Sequence, residues 1–348
     1  MAGRCGPAIA IRPTMKVSVV VPVYNKGPFL KESFDSIFAQ THGELEVIAI
    51  DDRSTDDSMD QLRAMTDPRL RIEQMDRNMG HPMATQRGFD VATGTYIVRA
   101  DADDIHLPHR IAEQVAYMEA HPEVGVSSSW LKTFGSEDVT WEMPETDPDC
   151  RAELLFGMPV LDPASIIRTS VLRANDIRYH EEWPRVGSDR LFFAQFLPHT
   201  HYGNLQKVLV NYRLGAQNSN HGDSMLKRRE EVMRHVFRII GLPLTEDQFT
   251  CHLMLMRAFR TPPTAADIRR LRKWVDELIA LNATHHLFPQ EQFRQRTHKA
   301  WDKLFHFLPA HGLAPAMEHI RQSDRRSAAH MSYLAKYTMG RWLGRTGA

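Results

Sequence analysis

The stretch RADADDI at residues 99–105 indicates both the fold and the chemistry of this chain. It places three carboxylates, Asp101, Asp103 and Asp104, directly after the strand-like run Thr95–Val98. So much negative charge beside a buried sheet edge is unfavourable without a cation. Mg²⁺ is the usual partner, because it binds one or two carboxylates together with substrate phosphates. The alternative is a helix N-terminus, where aspartate caps free N–H groups.

Strand and helix patterns alternate up to this stretch. The predicted strands are Lys16–Val23, Leu45–Ile50, Leu70–Gln74 and Thr95–Arg99, and the predicted helices between them are Phe29–Gln40, Ser58–Met65 and Pro82–Ala92. This alternation predicts βαβ units and a doubly wound parallel sheet, whose ligands bind at the carboxyl ends of the strands. The chain has no G-x-G-x-x-G and no G-x-x-x-x-G-K-[ST] motif. Neither a dinucleotide-dependent oxidoreductase nor a P-loop enzyme is therefore supported.

Length and composition describe an ordinary globular protein. The 348 residues, 42% hydrophobic and 25% charged, are enough for one large domain or two smaller ones. Three widely spaced cysteines, Cys5, Cys150 and Cys251, lack metal-ligand spacing and fit a reducing compartment. Residues 1–14 lack the apolar core of a secretory signal, and no apolar run approaches the roughly 18 residues of a membrane span. We therefore expect a flexible leader at residues 1–14 and a cytoplasmic protein.

Charge is distributed unevenly along the chain. Residues 1–222 carry nine more acidic than basic side chains, and residues 223–348 carry nine more basic than acidic ones. We therefore predict one domain at 15–222 and a basic helical domain at 223–348. The predicted helices of the second domain are Met225–Ile240, Glu246–Phe259, Ala265–Leu281, Gln290–Leu308 and Leu313–Tyr337.

The end of the chain, Tyr333–Arg345, mixes aromatic and basic side chains and carries no acid. This composition suits the interface of an anionic membrane and suggests peripheral contact there. The alternative is a final helix packed on its domain. Nucleic acid is a poorer partner, because the positive charge is spread over several helices and the first domain is acidic.

Several segments, in order, resemble glycosyltransferase family 2, whose members have the GT-A fold. They are VSVVVPVYNKGPFLKESFDSIFAQT at 17–41, VIAIDDRSTDDS at 47–58 and NMGHPMATQRGFDVATGTYIVRADADDIHLPHRIAEQV at 78–115. Weaker likeness continues through 162–168, 187–193 and 212–215, so that the resemblance covers about residues 17–218. Four positions depart from the family pattern: Arg53 replaces Gly, Asp162 replaces His, Ser188 replaces Glu and Gly215 replaces His.

The resemblance implies an α/β protein of the GT-A type, with a doubly wound, mostly parallel sheet flanked by helices and a mostly α-helical C-terminal region. It implies an inverting glycosyltransferase that moves a sugar from a UDP- or dTDP-sugar to the hydroxyl of a saccharide or lipid-linked acceptor. The implied cofactor is Mg²⁺ or Mn²⁺. The implied setting is the synthesis of a bacterial surface polysaccharide or glycolipid.

The resemblance also implies roles for individual residues. Asp103 is the expected metal ligand with Asp101 beside it, Asp104 is expected to cap a helix, and Asp189 is the expected general base, ahead of Glu181 and Glu182. The residues expected to bind the donor nucleotide are Pro22, Tyr24, Asn25, Asp52, Asn78, Gly80, Arg87 and Asp101.

Within this donor site, Tyr24 would pack on the base and Asp52 would accept a hydrogen bond from uracil or thymine. Asp52 could instead cap the helix that follows it. Arg87 and Arg99 would either neutralise phosphate or pair with the aspartates.

Other features have simpler interpretations. His106 and His109 could bind a metal, but we expect partly exposed helix residues. The run Arg269–Trp274 resembles the Q-x-x-R-W signature of processive synthases but lacks the glutamine. A different class of function also stays open, a non-catalytic nucleotide-sugar-binding protein whose helical domain recruits partners, because of the departures at Ser188 and Gly215. A nucleotidyltransferase is less favoured, because no Gly-rich loop follows the first strand.

Overall fold

The computed structural model describes residues 15–215, 225–323 and 328–342, and within them it contains nine strands and thirteen α-helices. The strands are β1 (Val17–Val23), β2 (Leu45–Asp51), β3 (Leu70–Gln74), β4 (Tyr96–Arg99), β5 (Ile105–His106), β6 (Val124–Gly135), β7 (Thr140–Trp141), β8 (Ser165–Arg168) and β9 (His201–Leu214). The helices are α1 (Gly27–Phe38), α2 (Ser58–Ala64), α3 (His81–Val91), α4 (Arg110–Ala120), α5 (Asp147–Glu153), α6 (Thr169–Ala174), α7 (Ser188–Ala194), α8 (Met225–Ile239), α9 (Glu246–Leu255), α10 (Ala265–His285), α11 (Gln290–Leu304), α12 (Leu313–Gln322) and α13 (Ala328–Trp342).

The first four strands and three helices are confirmed to within two residues at each end. β1 pairs in parallel with β2 and β4, and β2 pairs in parallel with β3. Antiparallel pairing joins β4 to β8, β6 to both β8 and β7, and β5 to β9. The order is β3-β2-β1-β4-β8-β6-β9-β5, with β7 beside β6. The fold class is therefore confirmed, but the sheet is mixed where a mostly parallel one was predicted.

The core around β1 explains why this end of the sheet is so regular. All seven residues of β1 are buried, as expected for a central strand covered on both faces. Phe34 of α1 and Ile111 of α4 belong to the same apolar cluster as Val19 and Val21. On the neighbouring helix α3, a Cβ at Gly88 would lie 2.3 Å from Val20, so only glycine permits this approach of helix and strand.

The chain divides into two compact units. The first contains the described residues up to Glu142, together with Leu161–Glu181 and Asn204–Gly215. The second contains Met143–Val160, Glu182–Gly203 and the described residues from Met225 onward. The boundary predicted at 222 and the leader predicted at 1–14 both lie outside the described residues. The second unit thus includes two segments that precede the predicted boundary.

The second unit is helical, and capping boxes define two of its helix starts, Thr245 with Gln248 and Thr264 with Asp267. The single helix predicted at 313–337 is wrong, because α12 ends at Gln322 and Ser323 is extended. The helix predicted to end at 308 stops at Leu304 and continues as a 3₁₀ turn. Trp274, at the end of the run compared with processive synthases, is a buried core residue. In the described part of the chain, no helix has the length and apolarity needed to cross a membrane.

Candidate active site

The candidate site lies where three parallel strands of the first unit end together. The β1–β2 register pairs Val23 with Asp51, and the β1–β4 register pairs Val20 with Arg99. Consequently, the loops that follow these strands meet at one edge of the sheet. This is the position at which doubly wound sheets bind ligands.

The loop after β1 is held by the turn after β2. Asn25 adopts a positive φ of 50°, its N–H donates to Ser54 Oγ at 3.0 Å, and its Oδ1 accepts from the N–H of Thr55 at 2.8 Å. Asn25 therefore orders the loop. The ring of Tyr24 remains 44% exposed, and Pro22 is buried within β1. Of the residues predicted on this loop, Tyr24 and Asn25 are exposed and Pro22 is buried.

Asp52 is buried and organises a second loop. Its carboxylate oxygens accept from the backbone N–H groups of Met79 at 2.8 Å and Gly80 at 2.7 Å, and Asn78 Nδ2 donates to its carbonyl at 3.1 Å. Gly80 has a φ of 89°, which glycine adopts without strain. The alternative in which Asp52 caps α2 is wrong, because that helix begins at Ser58 with Asp57 at the N-cap. The predicted Asp52, Asn78 and Gly80 are thus brought together.

Asp101 takes part in a network of charges around the buried Arg99. Its Oδ1 lies 3.2 Å from Nη2 of Arg99 and 3.2 Å from Nε2 of His81. Burial raises the pKa of Asp101, but the hydrogen bond and charge of His81 and the charge of Arg99 outweigh it, so the pKa lies below its ordinary value. Arg99 is completely buried and also donates to Asp162 Oδ2 at 2.9 Å. Arg99 therefore pairs with aspartates, one of the two roles predicted for it.

Asp103 pairs with a residue that sequence reasoning missed. Lys26 Nζ lies 2.5 Å from Asp103 Oδ2. Burial and the nearby charge of Asp101 nevertheless raise the pKa of Asp103, because they outweigh the attraction of Lys26. The sequence did contain a sign of this pair. Lys26 lies in the loop after β1, and this loop is at the edge of the sheet where β4 also ends.

Asp104 is not a helix cap, so that prediction is wrong. The next helix, α4, begins at Arg110 with His109 at its N-cap, and Asp104 directly precedes β5 instead. Asp104 Oδ1 accepts from the N–H of Arg213 at 2.9 Å, whereas Oδ2 is buried without a hydrogen-bond partner among the described residues. Burial, together with the charges of Asp101 and Asp103, raises its pKa well above the ordinary value.

Arg213, on β9, bonds to the acidic loop. Its Nε donates to the carbonyl of Asp103 at 2.9 Å, and its guanidinium lies over the rings of Phe29, at 4.9 Å, and Phe134, at 4.5 Å. The loop is therefore rigidly held by β9. Arg213 lies in the segment that resembles the end of the family domain.

Three other residues considered from the sequence have positions that do not indicate a role in the site. Arg87 Nε donates to Glu73 Oε2 at 2.7 Å on the surface of the first unit. His106 is buried on β5 rather than partly exposed on a helix, and it accepts from Arg110 Nη1. Burial and the charge of Arg110 hold its pKa well below the ordinary value, so it is a neutral core residue. His109 is exposed.

Asp189 lies in the second unit, in the first turn of α7. Its Oδ1 accepts from the N–H of Arg190 at 2.9 Å, and the preceding Ser188 is buried. Of the two alternative bases, Glu181 forms an exposed ion pair with Arg77 in the first unit, with 2.8 Å between Oε1 and Nη2. Glu182 belongs to the second unit. The assignment of the base stays a prediction.

The donor set of the acidic loop fits a hard divalent ion. Asp101 and Asp103 supply carboxylate oxygens from one loop, and burial together with the charge of Asp101 raises the pKa of Asp103. The described parts of the chain contain no group of three His, Cys, Asp or Glu side chains placed to hold a metal. Two carboxylates suffice for Mg²⁺, however, when substrate phosphates complete its shell. An incoming ion would share Asp103 with Lys26 or displace it.

Comparison with known proteins identifies the family of this chain. The family model described as Glycosyl transferase family 2 matches residues 18–182. An uncharacterised glycosyltransferase of Haemophilus influenzae is 30% identical over 247 residues, which cover 66% of this chain and 76% of that protein. The putative glycosyltransferase EpsE of Bacillus subtilis is 34% identical over 122 residues, 34% of this chain and 44% of that protein.

Among solved structures, TarS residues 1–349 of S. aureus in complex with UDP-GlcNAc superimposes with a TM-score of 0.60. Sequence identity is 22%, and the match covers 94% of this chain and 92% of that one. At this identity the likeness supports the fold alone. The family match and the Haemophilus relative identify the family. The chain belongs to glycosyltransferase family 2.

Proposed function

We propose that this chain transfers a sugar, with inversion, from a UDP- or dTDP-sugar to an acceptor hydroxyl. The observation that carries the proposal is the acidic loop after β4, which lies beside the loops after β1 and β2 at one edge of the sheet. Family membership supports glycosyl transfer. The nucleotide, the stereochemistry and the residue roles are our inference.

The donor nucleotide would lie across the ends of β1 and β2. The exposed ring of Tyr24 offers a face to the base. Asp52 holds the loop at 78–80 in place, and in this proposal its carboxylate also accepts a hydrogen bond from uracil or thymine. Arg87 would reach a phosphate only by leaving Glu73, so we give it a minor role.

The diphosphate would lie at the acidic loop. We place Mg²⁺ or Mn²⁺ at Asp103 and Asp101, where a bound ion would act as a Lewis acid toward the leaving diphosphate. Arg99 and His81 hold the Asp101 carboxylate in one orientation. Lys26 supplies a further positive charge beside Asp103.

The acceptor hydroxyl needs a base. We assign Asp189, whose carboxylate would take the hydroxyl proton while the acceptor oxygen bonds to the anomeric carbon. The bond from that carbon to the β-phosphate oxygen breaks in the same step, and the nucleoside diphosphate leaves with the electron pair. Attack from the face opposite to the leaving group inverts the anomeric centre.

The acceptor and the location of the protein are also proposals. We propose a saccharide or lipid-linked acceptor, synthesis of a bacterial surface polysaccharide or glycolipid, and a cytoplasmic protein in peripheral contact with the inner face of the membrane. Support for this contact comes from α13, where Met331 and Met339 are exposed on the same helix as Lys336. The tail beyond Trp342 lies outside the described residues. Co-sedimentation with anionic liposomes at low and high salt tests the contact, with a chain ending at Ser332 as the comparison.

The test of the proposed function is release of UDP or dTDP from a panel of nucleotide sugars, with Mn²⁺ present and with or without saccharide acceptors. Turnover supports transfer. Nucleotide binding without turnover on any donor would favour the rival function, a non-catalytic nucleotide-sugar-binding protein. That rival is retained because of the departures at Ser188 and Gly215.

A further inference from the structure

An aromatic pair with one exposed ring lies on β7 and β9 of the first unit. Trp141, on the short strand β7, is 39% exposed, and its ring centroid lies 5.6 Å from that of Tyr212 at an interplanar angle of 37°. Tyr212 directly precedes Arg213, which bonds to Asp103 and Asp104. The ring of Tyr212 thus extends from the same strand, one residue before the residue that bonds to the acidic loop.

The hairpin that carries Trp141 is rigid. Thr133 anchors it, because its N–H donates to the carbonyl of Val139 at 2.8 Å and its Oγ1 accepts from the N–H of Val139 at 2.8 Å. Leu131 pairs with Trp141 across the hairpin. A tryptophan held in this way does not lose much conformational freedom when a ligand binds.

The hairpin is also pinned to β9 just beyond Arg213. The N–H of Ser136 donates to the carbonyl of Leu214 at 3.1 Å. Gly135 has a φ of 99°, and a Cβ there would lie 2.3 Å from that same carbonyl oxygen. Only glycine permits this approach. The position of Trp141 relative to the acidic loop is thus fixed by backbone contacts.

We propose that Trp141, supported by Tyr212, is a platform on which a sugar ring of the acceptor stacks. The C–H groups on one face of a pyranose are apolar, and they complement the electron-rich face of an indole, while the sugar hydroxyls remain in water. Apart from the exposed Val139, the hairpin carries charged side chains, since Lys132 pairs with Asp138 at 3.2 Å. A single ring in polar surroundings matches a sugar better than a protein partner, which needs a larger apolar patch.

This inference rests on the proposed function, since it supplies an acceptor-binding residue for that reaction. The structure offers a matched control. Val139 is 48% exposed in the same hairpin, two residues from Trp141, but has no ring. A stacking platform requires Trp141 alone, whereas an apolar docking patch would require both side chains.

The experiment compares wild type, Trp141→Ala, Trp141→Phe and Val139→Ala as full-length chains. Binding to an immobilised panel of oligosaccharides is measured with UDP and Mn²⁺ present, and UDP affinity is measured separately by calorimetry. We expect Trp141→Ala to weaken oligosaccharide binding about tenfold, and Trp141→Phe and Val139→Ala to stay within about threefold of wild type. UDP affinity should not change. Thermal unfolding checks that every variant is folded.

The outcomes separate this inference from the proposed function. Equal oligosaccharide binding by wild type and Trp141→Ala overturns the platform, as does an equal loss in Val139→Ala. Binding of UDP without binding of any oligosaccharide by wild type also overturns it and leaves the donor site standing. Trp141-dependent oligosaccharide binding without UDP binding would support the platform and contradict the nucleotide-sugar proposal.

Discussion

The first unit buries several charged side chains beside its acidic loop, whereas the second unit buries two neutral histidines between its helices and one carboxylate, Glu318, that pairs with Arg269. Arg99, Asp103 and Asp104 are all at most 5% exposed. In the second unit, His252 Nε2 lies 3.0 Å from the carbonyl of Leu155, and His319 Nε2 lies 2.9 Å from the carbonyl of Trp301. Burial lowers the pKa of both histidines to about 4, so both are neutral near pH 7.

This contrast distinguishes buried groups that indicate a functional site from buried groups that contribute only to stability. A neutral polar group that bonds to a backbone carbonyl contributes modestly to folding and needs no ligand. Several buried charges of one sign are costly unless a cation or substrate compensates them, and such groups concentrate at functional sites. The buried carboxylates of Asp103 and Asp104 therefore mark a candidate ligand site, whereas His252, bonded to the carbonyl of Leu155, is part of the packing.

The largest effect is expected for Asp103→Asn, which removes a ligand charge beside the diphosphate. Metal-dependent binding of UDP should be abolished while the fold is retained, because Asn still fills the site. Calorimetry of UDP with and without Mn²⁺ measures this. Asp60→Asn, on the exposed surface of α2, is the control and should behave as wild type. Unchanged metal dependence in Asp103→Asn would refute the assignment.

The next effect tests whether the second unit contributes to chemistry at all. Asp189→Asn should lower kcat by about 10²–10⁴, the usual range for loss of a general base, with donor affinity nearly unchanged. Steady-state kinetics on the best donor measures it. If kcat barely falls, the base lies elsewhere, and Glu181→Gln and Glu182→Gln become the variants to compare.

Asp162→Asn tests the buried pair with Arg99. Removal of one partner leaves Arg99 less compensated, so the free energy of unfolding should fall by about 3–5 kcal/mol. Because Arg99 also bonds to Asp101, affinity for the donor should fall as well. Urea denaturation and UDP calorimetry measure the two effects. Asp138→Asn breaks an exposed pair with Lys132 and should cost below about 1 kcal/mol. If Asp162→Asn and Asp138→Asn lowered the free energy of unfolding equally, burial of the Arg99–Asp162 pair would not explain its contribution to stability.

The smallest effect concerns pH and the second unit. The folded pKa of His252, about 4, lies below its ordinary value of 6.5, so its proton binds preferentially to the unfolded chain. Its contribution to stability is therefore complete above about pH 6.5 and is lost as the pH falls toward 4, by up to about 3 kcal/mol. His252→Gln should reduce this pH dependence and leave UDP affinity at pH 7 unchanged. Urea denaturation at pH 7 and pH 4.5 compares the two proteins, and an undiminished dependence in the variant would assign the effect to other groups.

Part of the candidate site could be predicted because it follows from chain order. Apolar runs of strand length that alternate with helices specify parallel strands, and the loops after such strands meet at one edge. Asp52 and the acidic loop at 101–104 were therefore located without a structure. The role of Asp104 was predicted wrongly, because the distance along the chain to α4 was not evident from the sequence.

The sequence by itself determined the first half of the sheet, the acidic loop and the family, since these depend on local apolar patterns and on contiguous motifs. Only the tertiary structure decided that Lys26 meets Asp103, that Arg99 meets Asp162 and that Trp141 rests on Tyr212. It also decided that Met143–Val160 packs with the C-terminal helices. These contacts join residues that are distant in the chain. Packing and the pairing of buried charges determine which residues meet, and local propensity does not.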